Sequence, residues 1–316
     1  MRVLLITQGV SRLVEPLFGS SHKVVGILES MPRDYHRRKP PGFIFRALSF
    51  LYKLFKPGIL DLRSYCRGKD VPYNFLCVGR EAEVTKWIGL LKPDLIVVFS
   101  MSQLLRQDVI SIPRCGVINM HPSWLPEYRG PNPDFWQYYD VELNPGVTIH
   151  YIDAGEDTGD IIFQDRASIN LGEKSPVVLN KLIGDVGVPL ILTAIDAIEC
   201  GKAPRIKQPD NSPTGRARNL KANEHANIID WQNWPIERVW HVLRGTELWL
   251  NAVPAPTGIY TGQRWVVGEF VKVESVESPG TLTQFRGRNC IAAKDGYVFL
   301  SICFNFKKMV IGILQK

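Results

Sequence analysis

Cysteine is scarce in this 316-residue chain: there are six, with no CxxC pair and no histidine partner at zinc-ligand spacing. That argues against a disulfide framework and a structural metal, and predicts reduced thiols in a cytoplasmic protein with no metal site. A GxSxG nucleophile elbow is missing too, so a covalent acyl-enzyme is not indicated. No apolar run approaches the roughly 20 residues that a membrane-spanning helix needs. The opening Met1-Arg-Val-Leu-Leu-Ile-Thr is too short for the apolar stretch of a secretion signal. Internal repeats and low-complexity tracts are absent. What remains is a chain expected to be soluble and globular.

Hydrophobic residues make up 45% of it, enough for a sizeable core, and its length suits two domains. The net charge of +7 is local: residues 1–60 hold ten Lys and Arg against three acids, while bases and acids balance over the rest. Most of the excess lies between Arg33 and Lys56, where an anionic partner such as a phosphate, a nucleic acid or a membrane surface would bind. A solvated surface insertion explains the same charge equally well. Within it, Gly42–Lys56 (GFIFRALSFLYKLFK) has an amphipathic character. Such a stretch packs on its own domain or on a second copy of the chain, as in a homodimer, more often than on a membrane.

Short apolar, β-branched runs at Arg2–Thr7, Lys23–Leu28, Asp94–Phe99 and Gly116–Asn119 read as buried strands. Glu81–Leu91 reads as an intervening helix. Together they predict an α/β fold with a mainly parallel, doubly wound sheet. Gly146–Asp153 alternates like a half-buried strand. Ser175–Cys200 has helical spacing, with Val178, Leu182, Val186, Leu190, Ala194 and Ile198 on one stripe. Residues 203–226 are rich in Pro, Asn, Arg and Lys and read as a linker. A helix from Trp234 follows. Short β-like runs at Gly258–Tyr260, Trp265–Val273, Thr281–Gln284, Asn289–Ala292 and Tyr297–Cys303 then suggest a small antiparallel barrel. The expected division is therefore a domain over 1–202, a linker over 203–226 and a second domain over 227–316.

The chemistry concentrates between Gly116 and Ile162. Asn119 and His121 stand at i and i+2 at the end of a strand, so an extended backbone turns both toward one crevice. Open α/β sheets bind ligands at that carboxyl edge. Pro122, Pro126, Gly130, Pro131 and Pro133 impose a stiff loop after them. The loop Ala154–Asp160 brings three carboxylates after the next strand. An amide, an imidazole and a carboxylate suit acyl transfer: one stabilises an oxyanion, one handles protons, one orients the imidazole. With no nucleophilic Ser or Cys, the acceptor itself attacks. His150 alternates with Ile149 and Tyr151 and reads as structural; His225 and His241 receive no role.

Asn119-Met-His-Pro-Ser-Trp-Leu-Pro, Tyr128-Arg-Gly, Gly146-Val-Thr-Ile-His and Asp157-Thr-Gly-Asp-Ile-Ile, in that order, resemble the signature of the folate-dependent formyltransferases. Ile229-Asp-Trp, Pro279-Gly-Thr and Asp295-Gly extend the likeness to the barrel appended to some members, so that a Rossmann-like catalytic domain plus an OB-like domain is implied. The resemblance implies a catalytic trio of Asn119, His121 and Asp157, with 10-formyltetrahydrofolate as co-substrate. Its pterin would be held by backbone around Phe99, Ser100, Met101, Ser102, Leu104 and Leu105, and by the loop bearing Asp153, Gly155, Glu156 and Gly159. Ser123, Arg129 and Trp136 are weaker candidates for substrate contacts; Ser123 and Arg129 also read as loop ties, and Trp136 as core.

The acceptor divides two readings. Tyr128-Arg-Gly-Pro-Asn-Pro-Asp-Phe-Trp lacks the small-residue run usual after Arg-Gly in methionyl-tRNA enzymes and is closer to the sugar-nucleotide enzymes. A nucleotide-linked amino sugar is therefore the favoured substrate. Chain length, C-terminal domain and the basic insertion suit charged initiator tRNA as the alternative. Water in place of the amine would make the same trio a formyltetrahydrofolate hydrolase. A non-catalytic RNA- or membrane-binding protein would rest on the basic segment alone.

Overall fold

The computed structural model describes residues 1–31, 61–101, 103–173, 177–246, 252–274, 276–302 and 304. Ser102 and the whole of the basic segment 33–56, Gly42–Lys56 included, lie outside the described residues. The chain divides into two compact units that interleave along the sequence: 1–129, 146–165 and 184–214 form one, and 130–145, 166–183 and 215–316 the other.

The first unit is built on a sheet of β1 (Arg2–Thr7), β2 (Lys23–Ser30), β3 (Tyr73–Leu76), β4 (Leu95–Phe99), β5 (Val117–His121), β6 (Gly146–Tyr151) and β7 (Ile161–Arg166), in the order β3-β2-β1-β4-β5-β6-β7. The pairs from β3 to β5 are parallel, and β6 runs antiparallel to β5. Alternate residues of β1 enter different cores. Val3 and Leu5 join Leu95, Val97 and Phe99 beneath α1 (Val14–Phe18), α2 (Leu62–Gly68) and the long helix α6 (Val177–Glu199). Leu4 and Ile6 join Ile96 and Val98 beneath α3 (Glu81–Leu91) and the short α4 (Gln107–Ile110). Helices on both faces explain why these strands are apolar throughout instead of alternating. The doubly wound, mainly parallel sheet is the expected one.

The sequence readings of β6 and α6 change. β6 is buried at all six positions, not half-buried. Its alternation separates Ile149, in a core, from Thr148 and His150, which are buried among polar partners. On α6 the buried residues are Leu179, Ile183, Gly184, Gly187, Ile191, Ala194 and Ile195, mostly one row over from the expected stripe, in which Ala194 alone is fully buried; Val178's side chain lies outside what is described. The helix is apolar on both rows, and the glycine row makes the closest approach. A Cβ on Gly187 would lie 2.3 Å from Met120 Sδ.

In the second unit, α7 (Ile236–Thr246) packs on β8 (Trp265–Lys272), β9 (Leu282–Phe285), β10 (Arg288–Ala293) and β11 (Gly296–Ile302). They form an antiparallel sheet in the order β8-β11-β10-β9, the small C-terminal β domain expected. Gly258–Tyr260 is a 3-10 turn instead of a strand, because Gly258 takes φ +66° and reverses the chain. The α5 helix (Pro133–Tyr139) also belongs here: Tyr138 stacks on His241 at 3.8 Å. No helix among the described residues is long and apolar enough to cross a membrane.

Ile96 is fully buried on the strand between β1 and β5. Ile96→Ala is expected to cost about 2–5 kcal/mol of unfolding free energy, read from urea denaturation.

Candidate active site

The antiparallel pairing of β5 and β6 sets Asn119 opposite His150 and His121 opposite Thr148. His150 is 1% exposed, and its Nδ1 lies 2.8 Å from the Tyr151 carbonyl. A carbonyl only accepts, so the ring carries its hydrogen on Nδ1. The Nε2 lone pair then accepts from Asn119 Nδ2 at 3.2 Å, which fixes how the Asn119 amide is turned. Burial lowers the His150 pKa to about 4, against the pull of the Asp157 carboxylate and with His121 adding to the depression.

His121 is also buried. Its Nε2 donates to the Tyr128 carbonyl at 3.1 Å, and its Nδ1 faces Asp157 Oδ2 at 3.5 Å. The other Asp157 oxygen lies 3.7 Å from His150 Nε2. The imidazoles of His121 and His150 meet edge to face, 6.2 Å between centroids. Asn119, His121, His150 and Asp157 thus form one connected cluster. A proton on the Nδ1–Oδ2 line can rest on His121 or pass to Asp157, so the pair can relay one. The 3.5 Å gap is longer than a tight hydrogen bond, as in many ligand-free sites.

The loop carrying Asp157 is shaped by its own contacts. Asp153 Oδ1 accepts from Gly155 N at 3.0 Å and from Thr158 Oγ1 at 2.7 Å. Asp157 adopts φ +55°, a left-handed conformation that Asp tolerates better than most residues. Gly159 is required by close approach, since a Cβ there would lie 1.9 Å from the Tyr151 carbonyl oxygen. Glu156 is half-buried in the same loop.

The proline-rich loop is fastened from below. Ser123 is fully buried and donates to the Glu127 carbonyl at 2.7 Å. Thr148 Oγ1 donates to the Ser123 carbonyl at 2.7 Å and accepts from Leu125 N at 3.1 Å. Arg129 is engaged by the segment read as a linker: Nη2 donates to Gln208 Oε1 at 2.9 Å and to the Pro209 carbonyl at 2.8 Å, and Nη1 to the Asp210 carbonyl at 3.0 Å. Trp136 lies in the other unit, where its indole N–H donates to the Arg218 carbonyl at 2.7 Å. On the far loop, Phe99 is buried in a core, Ser100 turns the chain at φ +71°, and Met101 packs against the second core. Leu104 is exposed; with Leu105 it lines a cavity of about 360 Å³ together with Leu28, Leu76 and Val84.

His150 is the member of the cluster that sequence reasoning did not assign to the site. Strand alternation gives its side but not its partner. The partner follows from the β5–β6 register, which depends on β6 running antiparallel.

Comparisons with known proteins bear on the family and the fold. A sequence profile described as formyl transferase matches residues 78–195. The chain is 32% identical over 296 residues to a protein named methionyl-tRNA formyltransferase from Alkaliphilus oremlandii, covering 92% of this chain and 86% of that one. It is 39% identical over 237 residues to the protein of that name from Syntrophomonas wolfei, covering 72% and 68%. Among solved structures, the N-formyltransferase from Helicobacter canadensis, in complex with folinic acid and dTDP-3-aminofucose, shares the fold. Its TM-score is 0.64 at 16% identity, covering 95% of this chain and 98% of that one. The sugar 3N-formyl transferase WlaRD gives 0.63 at 14% identity, covering 97% and 99%. Fold and site thus define a group-transfer enzyme of the α/β class. The chain belongs to the formyltransferase family.

His150 and His241 both have pKa values lowered to about 4, chiefly by burial. The unfolded chain takes up these protons near pH 6.5 and the folded chain resists. The stability of the neutral rings is therefore complete above pH 6.5 and is lost as pH falls toward 4. Unfolding free energy is expected to fall by about 2 kcal/mol per ring between pH 7 and 4.5. His150→Gln should remove its own half of that dependence, leaving the share of His241, in urea titrations at stepped pH.

Proposed function

We propose that this formyltransferase moves a formyl group from 10-formyltetrahydrofolate to the amine of a nucleotide-linked amino sugar. The observation that carries formyl transfer is the convergence of the Asn119 amide, the His121 imidazole and the Asp157 carboxylate at the carboxyl end of β5. His121 is paired with a carbonyl and a carboxylate instead of a serine or cysteine, so the attacking atom is supplied by the acceptor.

The bound donor supplies the formyl carbon and a nitrogen leaving group. Asn119, held by His150, directs its second amide hydrogen toward the formyl oxygen as negative charge grows there. His121 supports the same oxygen through the positive edge of its ring and not through an N–H, since its two nitrogens are engaged by the Tyr128 carbonyl and by Asp157. The acceptor nitrogen bonds to the formyl carbon, the carbon–nitrogen bond to the donor breaks, and the proton lost by the amine reaches the departing nitrogen by way of the His121–Asp157 pair. The loops at Phe99–Leu105 and Asp153–Gly159 would hold the pterin. The second fits a heterocycle with donors and acceptors on its edges, because Asp153 fixes that backbone internally.

The amino-sugar acceptor is supported by the segment after Arg129-Gly. Instead of small residues it has Pro131 and Asn132 leading into an aromatic helix of Phe135, Trp136, Tyr138 and Tyr139. The tRNA reading is favoured by one observation, the 32% identity to a methionyl-tRNA formyltransferase along 86% of its length.

Asn119→Ala is expected to lower kcat by about 100- to 1000-fold, the usual loss of one oxyanion donor, in a formyl-transfer assay. Near-normal turnover would remove Asn119 from the chemistry. Offered 10-formyltetrahydrofolate with nucleotide-linked amino sugars and charged initiator tRNA, the protein is expected to add the mass of CO to a sugar. A gain on the tRNA, with affinity falling steeply as salt rises, would assign it the tRNA role.

A further inference from the structure

The segment 203–214 contains one polar side chain that is almost wholly buried, Gln208, at 5% exposed. Its amide is fully used. Nε2 donates to the Asp157 carbonyl at 3.0 Å and to the Gly159 carbonyl at 2.7 Å. Oε1 accepts from Arg129 Nη2 at 2.9 Å and Nε at 3.3 Å. The two ends of the amide therefore cannot be exchanged: carbonyls require the nitrogen, and a guanidinium requires the oxygen.

We infer that Gln208 is a positioning residue for the reaction, setting Asp157 through its backbone. Asp157 sits in the left-handed region at φ +55°, where little except neighbouring contacts selects the conformation. Its own carbonyl is gripped by Gln208, and so is that of Gly159 two residues on. With both fixed, the Cα–Cβ direction of Asp157 is fixed. The carboxylate is thereby aimed between His121 Nδ1 at 3.5 Å and His150 Nε2 at 3.7 Å. Arg129 steadies Gln208 from behind and is itself tied to the Pro209 and Asp210 carbonyls. None of these hydrogen bonds reaches either imidazole, so Gln208 acts through the loop.

A simple structural tie between Arg129 and residue 208 predicts something different. Glutamate is nearly the same shape and would pair with Arg129 more strongly, but it has no hydrogen for the two carbonyls and sets negative charge against them. Gln208→Glu therefore keeps the tie and removes the positioning.

The inference rests on the formyl-transfer reading, and the test separates the two. Steady-state kinetics would be measured for wild type, Gln208→Glu, Asp157→Asn and the double variant, with folding checked by thermal melts. Misplacing a reacting group by about 1 Å can cost about 100-fold, so Gln208→Glu is expected to lower kcat by about 10- to 100-fold with KM changed far less. Because Gln208 acts through Asp157, the double variant should be no slower than Asp157→Asn alone. Multiplying losses, or a Gln208→Glu enzyme with wild-type kcat, would overturn the assignment. Gln208→Asn, which keeps the amide but is too short to hold both carbonyls, should show a smaller loss with the same non-additivity. If neither variant folds, Gln208 is a folding residue and the assignment falls. If wild type transfers no formyl group, the functional reading fails. Hydrogen exchange across residues 153–160 then still decides whether Gln208 holds the loop: faster exchange in Gln208→Glu supports it, and unchanged exchange refutes it.

Discussion

The site depends on one reversal of direction. Strands β1 to β5 are parallel, and β6 then returns antiparallel beside β5, placing His150 opposite Asn119. A parallel β6 would need a crossover and would bring a different face to this edge. The antiparallel register turns two nearby sequence segments into a single polar floor. His150 takes the amide of Asn119, and Thr148 takes the backbone of the loop that follows His121. The stiffness of the loop therefore comes from β6 as much as from its prolines.

Burial decides the electrostatics of that floor. Asp157 lies between two imidazoles at 3.5 and 3.7 Å, and either could in principle take the proton that pairs with it. The His150 ring is held neutral by desolvation, with Nδ1–H spent on a backbone carbonyl. It can then only accept, and what it accepts is the Asn119 amide. A charged His150 would offer a hydrogen at Nε2, turn Asn119 around and draw Asp157 away from His121. Desolvating one ring thus assigns roles to three neighbours.

Much of the fold was legible in the sequence. The runs at Arg2–Thr7, Lys23–Leu28 and Asp94–Phe99 are apolar without alternation, which only a sheet covered on both faces demands. That Asn119, His121 and Asp157 lie in one cluster was legible because each stands in a motif with its neighbours. What was not legible depended on pairing between distant segments. The buried face of α6 could not be chosen while two apolar rows competed; Gly187 settles it by packing on Met120. The polarity of β6 residues looked like solvent exposure but reflects buried hydrogen bonds. Gln208 was hidden by its company, since Pro, Asn, Lys and Arg around it read as a linker whereas the residue itself is buried.

The division of labour between strand and loop follows from what each can fix. Asn119 and His121 sit on a strand whose positions are set by its neighbours β4 and β6, so their side chains need only local partners. Asp157 sits on a loop, where backbone conformation is set by whatever holds its carbonyls. A carboxylate that moves with a loop could follow a proton as it shifts along the His121 line. The same freedom would let it swing toward the solvent it already partly meets, at 18% side-chain exposure. The contacts from Asp153 within the loop and from Gln208 to its carbonyls restrict that swing. On the proposed mechanism, the rigid strand carries the groups that meet developing charge and the tethered loop carries the group that manages the proton.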